Sequence, residues 1–389
     1  MQSAARIGFS RLLSRYAVSA NSLLAADEAI RLTPDDPDAH RARGIVLTRS
    51  QNLADAGSSL ETAATLRPGD AGLWLALGNT REELGDRDGA LAAFNQAVSA
   101  APYYGQTHWQ RGNLLLRLER YDEAVADLRQ AASSDRRLLP NFIDLAWGLT
   151  NGSPKATEDL IQISSDHDRW EFTRFLARKG AGDEVIDQAS LLNNALSVEN
   201  KEELIGLLVA SRHVRDAFRL WKGSETSDGL VNGMFEDPLV LDERYFRWHI
   251  AESQTNAKFA IDVSEKFSGE KSLQVSFNGE WNSGAALLSQ TIVLGPGRYR
   301  INFAVKTKDL VTGGPPRIAV INTTSNQTLA TSEPFPQTTS SWLSSGVEFE
   351  LTSMEAVDVR LVRDNCTSSP CPIFGVVWLD EFYISEPGK

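Results

Sequence analysis

Two cysteines, five histidines and a scatter of carboxylates are the residues in this sequence best suited to chemistry, and their spacing decides which chemistry is open. Cys366 and Cys371 stand in DNCTSSPCPIFG. A Cys-x4-Cys pair with no further Cys or His beside it makes a poor zinc site. Two thiols flanking a tight Ser-Pro loop suit a local disulfide instead, which forms and lasts in an oxidising compartment. His40, His108, His167, His213 and His249 are scattered, with no HExxH and no pair at metal-ligand spacing. SGEKS (268–272) puts a lysine before a serine but lacks the glycine-rich phosphate loop, and no serine sits in a Gly-x-Ser-x-Gly elbow. Asp380 and Glu381 cannot flank one glycosidic bond, because neighbours on a strand face opposite sides. The expectation is a chain that is not an enzyme.

The elements that must position these residues fall into two textures. With 389 residues, 42% hydrophobic and 23% charged, the chain is long enough for two cored domains. Its net charge of -12 is spread along it: residues 227–389 hold 13 Lys+Arg against 20 Asp+Glu, and the rest 26 against 31. Neither half offers a basic face for nucleic acid. No apolar run approaches the ~18 residues of a transmembrane helix. The first residues carry arginines but no unbroken apolar core of ~7 to 15, so no export signal is visible. The cysteine pair nevertheless favours an extracytoplasmic, periplasmic or membrane-associated, location.

The first half repeats. Pro34, Pro68 and Pro102 lie 34 apart, as do Gly44, Gly78 and Gly112, and Ala29, Ala63, Ala97 and Ala131. A fixed period of this length signals a helical-repeat protein. In AGLWLALGNTREELGDRDGALAAFNQAVSAAP, the residues Trp74, Leu77, Gly78, Ala90, Phe94, Ala97 and Pro102 fall at marked positions of the tetratricopeptide repeat, which this copy closely resembles. The third copy departs from the pattern, ending in Arg136 where proline is expected. The resemblance implies an α-solenoid over 1–137 that binds a protein partner on its concave face. From 138 to 222 the helical period continues while the signature fades, as in diverged repeats or a cap.

At Gly223 the pattern changes. Residues 223–227 form a polar linker, and nine of the fifteen prolines lie beyond it. Apolar residues then alternate, as in Leu273, Val275 and Phe277, in Tyr299, Ile301, Phe303 and Val305, and in Phe374, Val376 and Trp378. Roughly eight to ten strands are expected, forming an antiparallel β-sandwich over 228–389. The order NGMFEDP, FRWHI, SGEKSLQVSF, SQTIVLGPGRYRINFAVKT and GVVWLDEFYI resembles the jelly-roll carbohydrate-binding modules of families four and nine, which are galactose-binding-like. The fold class is thus multidomain, α then β.

That resemblance implies a saccharide ligand and a structural Ca2+. Aromatic rings stack on sugars while amides and guanidinium groups hold hydroxyls. Trp281 beside Asn278 and Asn282, with Gln290 and Arg363, are the candidates, although Trp281 is equally suited to cover the sandwich edge. Trp248 and Trp378 read as core. For the ion, the resemblance selects Glu236, the turn at Lys271 and Ser272 through backbone carbonyls, and Asp380; calcium accepts such mixed oxygen ligands. The alternative is that both carboxylates cap backbone amides. The function expected is a scaffold joining a protein partner to a polysaccharide or glycan, as in bacterial surface-polymer assembly or export. The competing expectation is a pure protein-interaction scaffold or assembly factor whose sandwich holds no sugar.

Overall fold

The computed structural model describes residues 2–192, 196–239, 245–250, 255–281, 286–364, 366 and 371–387. They fold as two compact units, Met1–Phe175 and Leu176–Lys389. No helix among the described residues is long and apolar enough to cross a membrane.

The first unit is a run of antiparallel helix pairs: α1 (Gln2–Ala20) with α2 (Leu23–Leu32), α3 (Pro37–Arg49) with α4 (Leu53–Leu66), and α5 (Ala71–Glu83) with α6 (Arg87–Ala100). Next come α7 (Gly105–Arg117) with α8 (Tyr121–Ser134), and α9 (Leu139–Leu149) with α10 (Pro154–Ile161). The 34-residue period is a packing rule. A Cβ on Gly44 would lie 2.6 Å from Leu60 Cγ, one on Gly78 2.4 Å from Phe94 Cε1, and one on Gly112 2.9 Å from Leu128 Cγ. Each pair therefore places a bare backbone against a large side chain sixteen residues later. Ala29, Ala63, Ala97 and Ala131 are fully buried at the same joints. Asp36, Asp70 and Asp86 cap their helices by accepting from Asp38 N, Gly72 N and Gly89 N. Where Arg136 replaces the expected proline, a 3-10 turn at Arg136–Leu138 makes the connection, capped by Asp135.

The second unit opens with helices that include α12 (Gly182–Ser190), α13 (Val198–Ala210) and α14 (Val214–Lys222); α11 (Asp166–Lys179) contains the boundary between the units. Gly223, at a φ of +77°, ends α14 as a left-handed C-cap. Ser227, in the segment expected to be a linker, bonds Val293 through backbone and side chain at 2.7 and 3.0 Å.

Among the described residues ten antiparallel strands follow: β1 (His249–Ile250), β2 (Thr255–Asp262), β3 (Ser272–Trp281), β4 (Leu288–Leu294), β5 (Gly297–Thr312), β6 (Pro316–Asn322), β7 (Thr328–Thr331), β8 (Leu343–Leu351), β9 (Glu355–Arg363) and β10 (Pro372–Ser385). They form two five-stranded sheets, ordered β1-β4-β9-β6-β7 and β2-β3-β10-β5-β8. One continuous core joins them, drawing Leu273, Val275 and Phe277, Ile301, Phe303 and Val305, and Val357, Val359 and Leu361 from the alternating runs. β10 departs from its expected parity. Its core residues are Ile373, Val377, Leu379 and Phe382, whereas Phe374, Val376 and Trp378 face the other side of the sheet. Ile373, Val377 and Leu379 keep one parity through Gly375, whose φ of +110° and close approach to Asp309 O exclude a side chain where the register with β5 shifts; the inward set changes only between Leu379 and Phe382, at the second shift between Asp380 and Tyr383, where Glu381 has a φ of +51°. Trp248 lies in the core as expected; Trp378 is buried outside it, its indole N–H donating to Asp262 Oδ2 at 2.8 Å.

Candidate functional site

A groove of about 710 Å³ in the first unit lies between α1 and α3. Val18, Ala42 and Ile45 give it an apolar floor, and Arg11, Arg15, Arg41 and Arg49 surround it. One acid, Asp38, joins this lining, and it is already engaged: Arg67 holds both its oxygens at 3.0 and 3.1 Å. That bidentate pair keeps the Asp38 carboxyl below its ordinary pKa, outweighing burial, with Arg11 and Arg41 adding to the effect. Arg11 reaches Asp36 at 3.6 Å, and Arg49 donates to Val18 O. Arg15 and Arg41 are exposed. In an acidic chain this groove is a local cationic field. The sequence reading passed over it, although Arg15 and Arg49 stand one 34-residue period apart and so occupy equivalent repeat positions.

A second periodic feature was also missed. His40 Nε2, Trp74 Nε1 and His108 Nε2 donate to the carbonyls of Pro34, Pro68 and Pro102 at 2.6, 2.9 and 2.9 Å. A ring N–H at this position, recurring every 34 residues, ties each first helix to the turn before it. His108 Nδ1 also meets Asp127 Oδ1 at 2.9 Å, and Arg111 holds the same carboxylate at 2.6 and 2.7 Å. These contacts make His108 a packing residue. Among the described residues, no three His, Cys, Asp or Glu side chains gather to hold a metal.

The sandwich disperses the residues expected to meet a sugar. Trp281 is 3% exposed and stacks on Phe277 at 5.7 Å, inside the core. Gln290, 1% exposed, bridges Val231 by accepting from its N–H and donating to its C=O, at 2.8 and 2.9 Å. Arg363, 4% exposed, donates to Trp281 O at 2.8 Å and lies 5.9 Å from that ring's centroid. Gln290 and Arg363 use their polar groups to join elements, and none of the three offers a face to solvent. Asn278 is exposed, and Asn282 lies outside the described residues. Phe374, 46% exposed, pairs in register with the exposed Asn278 on the outward side of the β2-β3-β10-β5-β8 sheet.

Glu236 and Asp380 converge on the loop that precedes β3. Glu236 Oε1 accepts from the N–H groups of Glu270 and Lys271 at 2.7 and 3.1 Å. Asp380, fully buried, accepts from Phe267 and Ser268 N–H at 2.9 and 3.1 Å and from Glu381 N–H at 2.7 Å. Gly269, at a φ of +62°, lets the loop pass so close that a Cβ there would stand 2.1 Å from Glu236 Oε1. Burial pushes the Asp380 pKa up; the amide contacts oppose this and the Glu236 charge adds to it. Ser268 Oγ is buried here without a hydrogen-bond partner. Two mutually repelling carboxylates and an orphaned hydroxyl fit a hard cation, while the amide contacts match the capping alternative. Lys271 reaches Glu236 O through its ammonium, and Ser272 Oγ donates instead to Glu265 O at 2.5 Å.

Cys366 and Cys371 are joined as a disulfide, with Cα atoms 5.9 Å apart. Their spacing in sequence had left zinc and a disulfide as the alternatives.

The tetratricopeptide-repeat family model matches residues 15–71 and 75–138. No curated protein matches the chain. Among solved structures, it is similar to MamA residues 41 to the end from Desulfovibrio magneticus RS-1, with 17% identity over 40% of this chain and 94% of that one, at a TM-score of 0.35. A further similarity is to YrrB, described as a TPR protein with an unusual peptide-binding site, with 17% identity over 50% and 88% of the two chains and a TM-score of 0.28. Scores of this size add nothing to the packing just described. The matched segments coincide with the joints at Gly44, Gly78 and Gly112, and residues 15–71 and 75–138 are tetratricopeptide repeats.

Proposed function

We propose that the chain is a non-catalytic scaffold whose solenoid takes an acidic peptide segment of a protein partner in the groove between α1 and α3. The observation that carries this reading is the arginine lining, whose one acid is already neutralised by Arg67. Guanidinium groups bind carboxylates through paired N–H donors, and an apolar floor of Val18, Ala42 and Ile45 suits side chains between the acids. The test is fluorescence anisotropy of labelled octaglutamate with the full chain. Binding should weaken about tenfold for Arg15→Glu or Arg41→Glu and fade with added salt. Affinity left unchanged by both reversals refutes the reading.

A second reading concerns the sandwich. Phe374 and Asn278 place an exposed ring beside an amide on an open sheet face, which suits a glycan. Retention of the full chain by immobilised polysaccharides, lost in Phe374→Ala, would support it. Retention by none of them leaves the pure protein scaffold. At the loop that precedes β3, Glu236, Asp380 and Ser268 Oγ are the side chains we assign to a structural calcium ion. It would answer the repulsion between the carboxylates and clasp the opening segment of the sandwich to β10.

A further inference from the structure

Arg363 is a buried cation without an anion. Its Nε donates to Gly314 O at 3.1 Å, Nη1 to Trp281 O at 2.8 Å, and Nη2 to Thr312 Oγ1 and Pro372 O at 2.7 and 3.2 Å. Nη2 also contacts Cys371 Sγ at 2.8 Å, while Cys366 Sγ stands off at 3.6 Å. Every one of these acceptors is uncharged, and among the described residues no carboxylate forms an ion pair with it. Burial pushes the guanidinium pKa down, as expected for a charge withdrawn from water and left unanswered. Asp364, the adjacent acid, is bonded to Arg317 of β6. The groups facing the guanidinium from β3, β5 and the 313–315 turn are neutral.

We propose that Cys366–Cys371 is an exchange-active disulfide, reduced by dithiols, in which Cys366 is the sulfur attacked and Cys371 the sulfur that leaves. A guanidinium 2.8 Å from one sulfur and 3.6 Å from the other makes the two ends of the bond unequal. Charge that develops on Cys371 Sγ forms closer to Arg363 than charge on Cys366 Sγ does. Both cysteines are partly exposed, so a reductant can reach them. The reductant's thiolate attacks Cys366 Sγ, a mixed disulfide forms, and the electron pair of the broken bond passes to Cys371 Sγ as a thiolate paired with Arg363. The reductant's second thiol, on losing its proton, attacks its own mixed-disulfide sulfur. That closes the reductant's disulfide and releases the Cys366 thiolate, which takes a proton from water. The dithiol loses two electrons and the protein disulfide gains them. Reduction thus supplies the anion that Arg363 lacks, a stabilisation that thiolates beside Arg or Lys generally receive.

The test alkylates the dithiothreitol-reduced full chain with iodoacetamide across pH 5 to 9, assigning each cysteine by peptide mass. Cys371 is expected to titrate at least about one pH unit below the ordinary thiol value of about 8.5, with Cys366 lowered less than Cys371. Arg363→Gln should return Cys371 to about 8.5 or above, and Arg363→Lys should keep part of the shift. Because Arg363→Gln also strips several buried contacts, a second measurement needs only the wild-type chain. Oxidised protein is opened with limiting glutathione, and the mixed disulfide should map to Cys366 over Cys371 by about tenfold. A Cys371 that titrates at or above the ordinary value overturns the proposal. So does equal labelling by glutathione, or loss of the folded circular-dichroism signal on reduction.

Discussion

The solenoid and the sandwich bury apolar surface in different ways. In the solenoid the core is divided into small joints, each closed by residues within about one repeat, as when Gly78 admits Phe94. In the sandwich one core runs between two sheets, and single buried polar side chains join segments far apart in sequence. Gln290 ties β4 to Val231 across 59 residues, and Arg363 ties β9 to Trp281 across 82. A repeated joint shows its rule several times over. A polar hub shows its rule once.

The sharpest way to break the comparison is to empty one joint. Phe94 is fully buried over Gly78, and Phe94→Ala is expected to cost about 3–5 kcal/mol through lost contacts and the cavity left behind. Native-state hydrogen exchange should show protection lost mainly over 71–117, with 272–385 retaining theirs. Equal loss in both regions would mean that the solenoid is not assembled joint by joint.

This difference also governs what could be read from the sequence. Gly44, Gly78 and Gly112 announced their role because the same 34-residue interval, shared with the prolines and alanines, is hard to produce by chance, and local packing explains it. The alternation of Leu273, Val275 and Phe277 was legible for a similar reason, since a strand's period of two is local. The parity of β10 was not, because both alternating sets are apolar, Phe374, Val376 and Trp378 against Ile373, Val377 and Leu379, and the alternation does not say which set faces inward. Nor was the burial of Trp281, Gln290 and Arg363. A polar or aromatic residue near a turn has the same one-letter appearance whether it faces water or satisfies a distant carbonyl. The arginines around the groove were hidden by averaging: the -12 total conceals a local positive field, and only the interval from Arg15 to Arg49 hints at it.

Calcium tests whether the sandwich depends on a further long-range tie. If the ion binds the folded chain alone, saturation at 100 times its dissociation constant adds about 2.7 kcal/mol. The full chain is melted in chelator and then in millimolar calcium, as wild type and as Asp380→Ala. The wild-type sandwich transition should rise, and the variant's should stay. A wild-type midpoint that ignores the buffer eliminates the ion and leaves Glu236 and Asp380 as caps for the amides they already accept.

The smallest effect separates the two regions by how each holds a carboxylate. In the solenoid, Asp38 owes its lowered pKa first to Arg67, a partner at the surface. In the sandwich, burial works against Asp262, yet the Trp378 indole N–H and the backbone N–H groups of Ser264 and Glu265 outweigh it and leave its pKa lowered as well. A carboxyl whose folded pKa lies below its unfolded value contributes stability above the unfolded value, about 3.9 for Asp, and that contribution is lost as pH falls through the folded value. The stability that these contacts supply at neutral pH should therefore drain away as pH falls below about 4, and Asp38→Asn and Asp262→Asn should each flatten the acid limb in their own region. Salt distinguishes them. At about 1 M the screening length falls to about 3 Å, which weakens an exposed ion pair but leaves neutral N–H donors in place. The effect of Asp38→Asn should shrink in high salt while that of Asp262→Asn persists, read from the slope of stability against pH below about 4. An Asp262→Asn effect that fades with salt as fast as the Asp38→Asn effect would show that both sites are held by charge, and the contrast between ion pair and neutral donor set would fail.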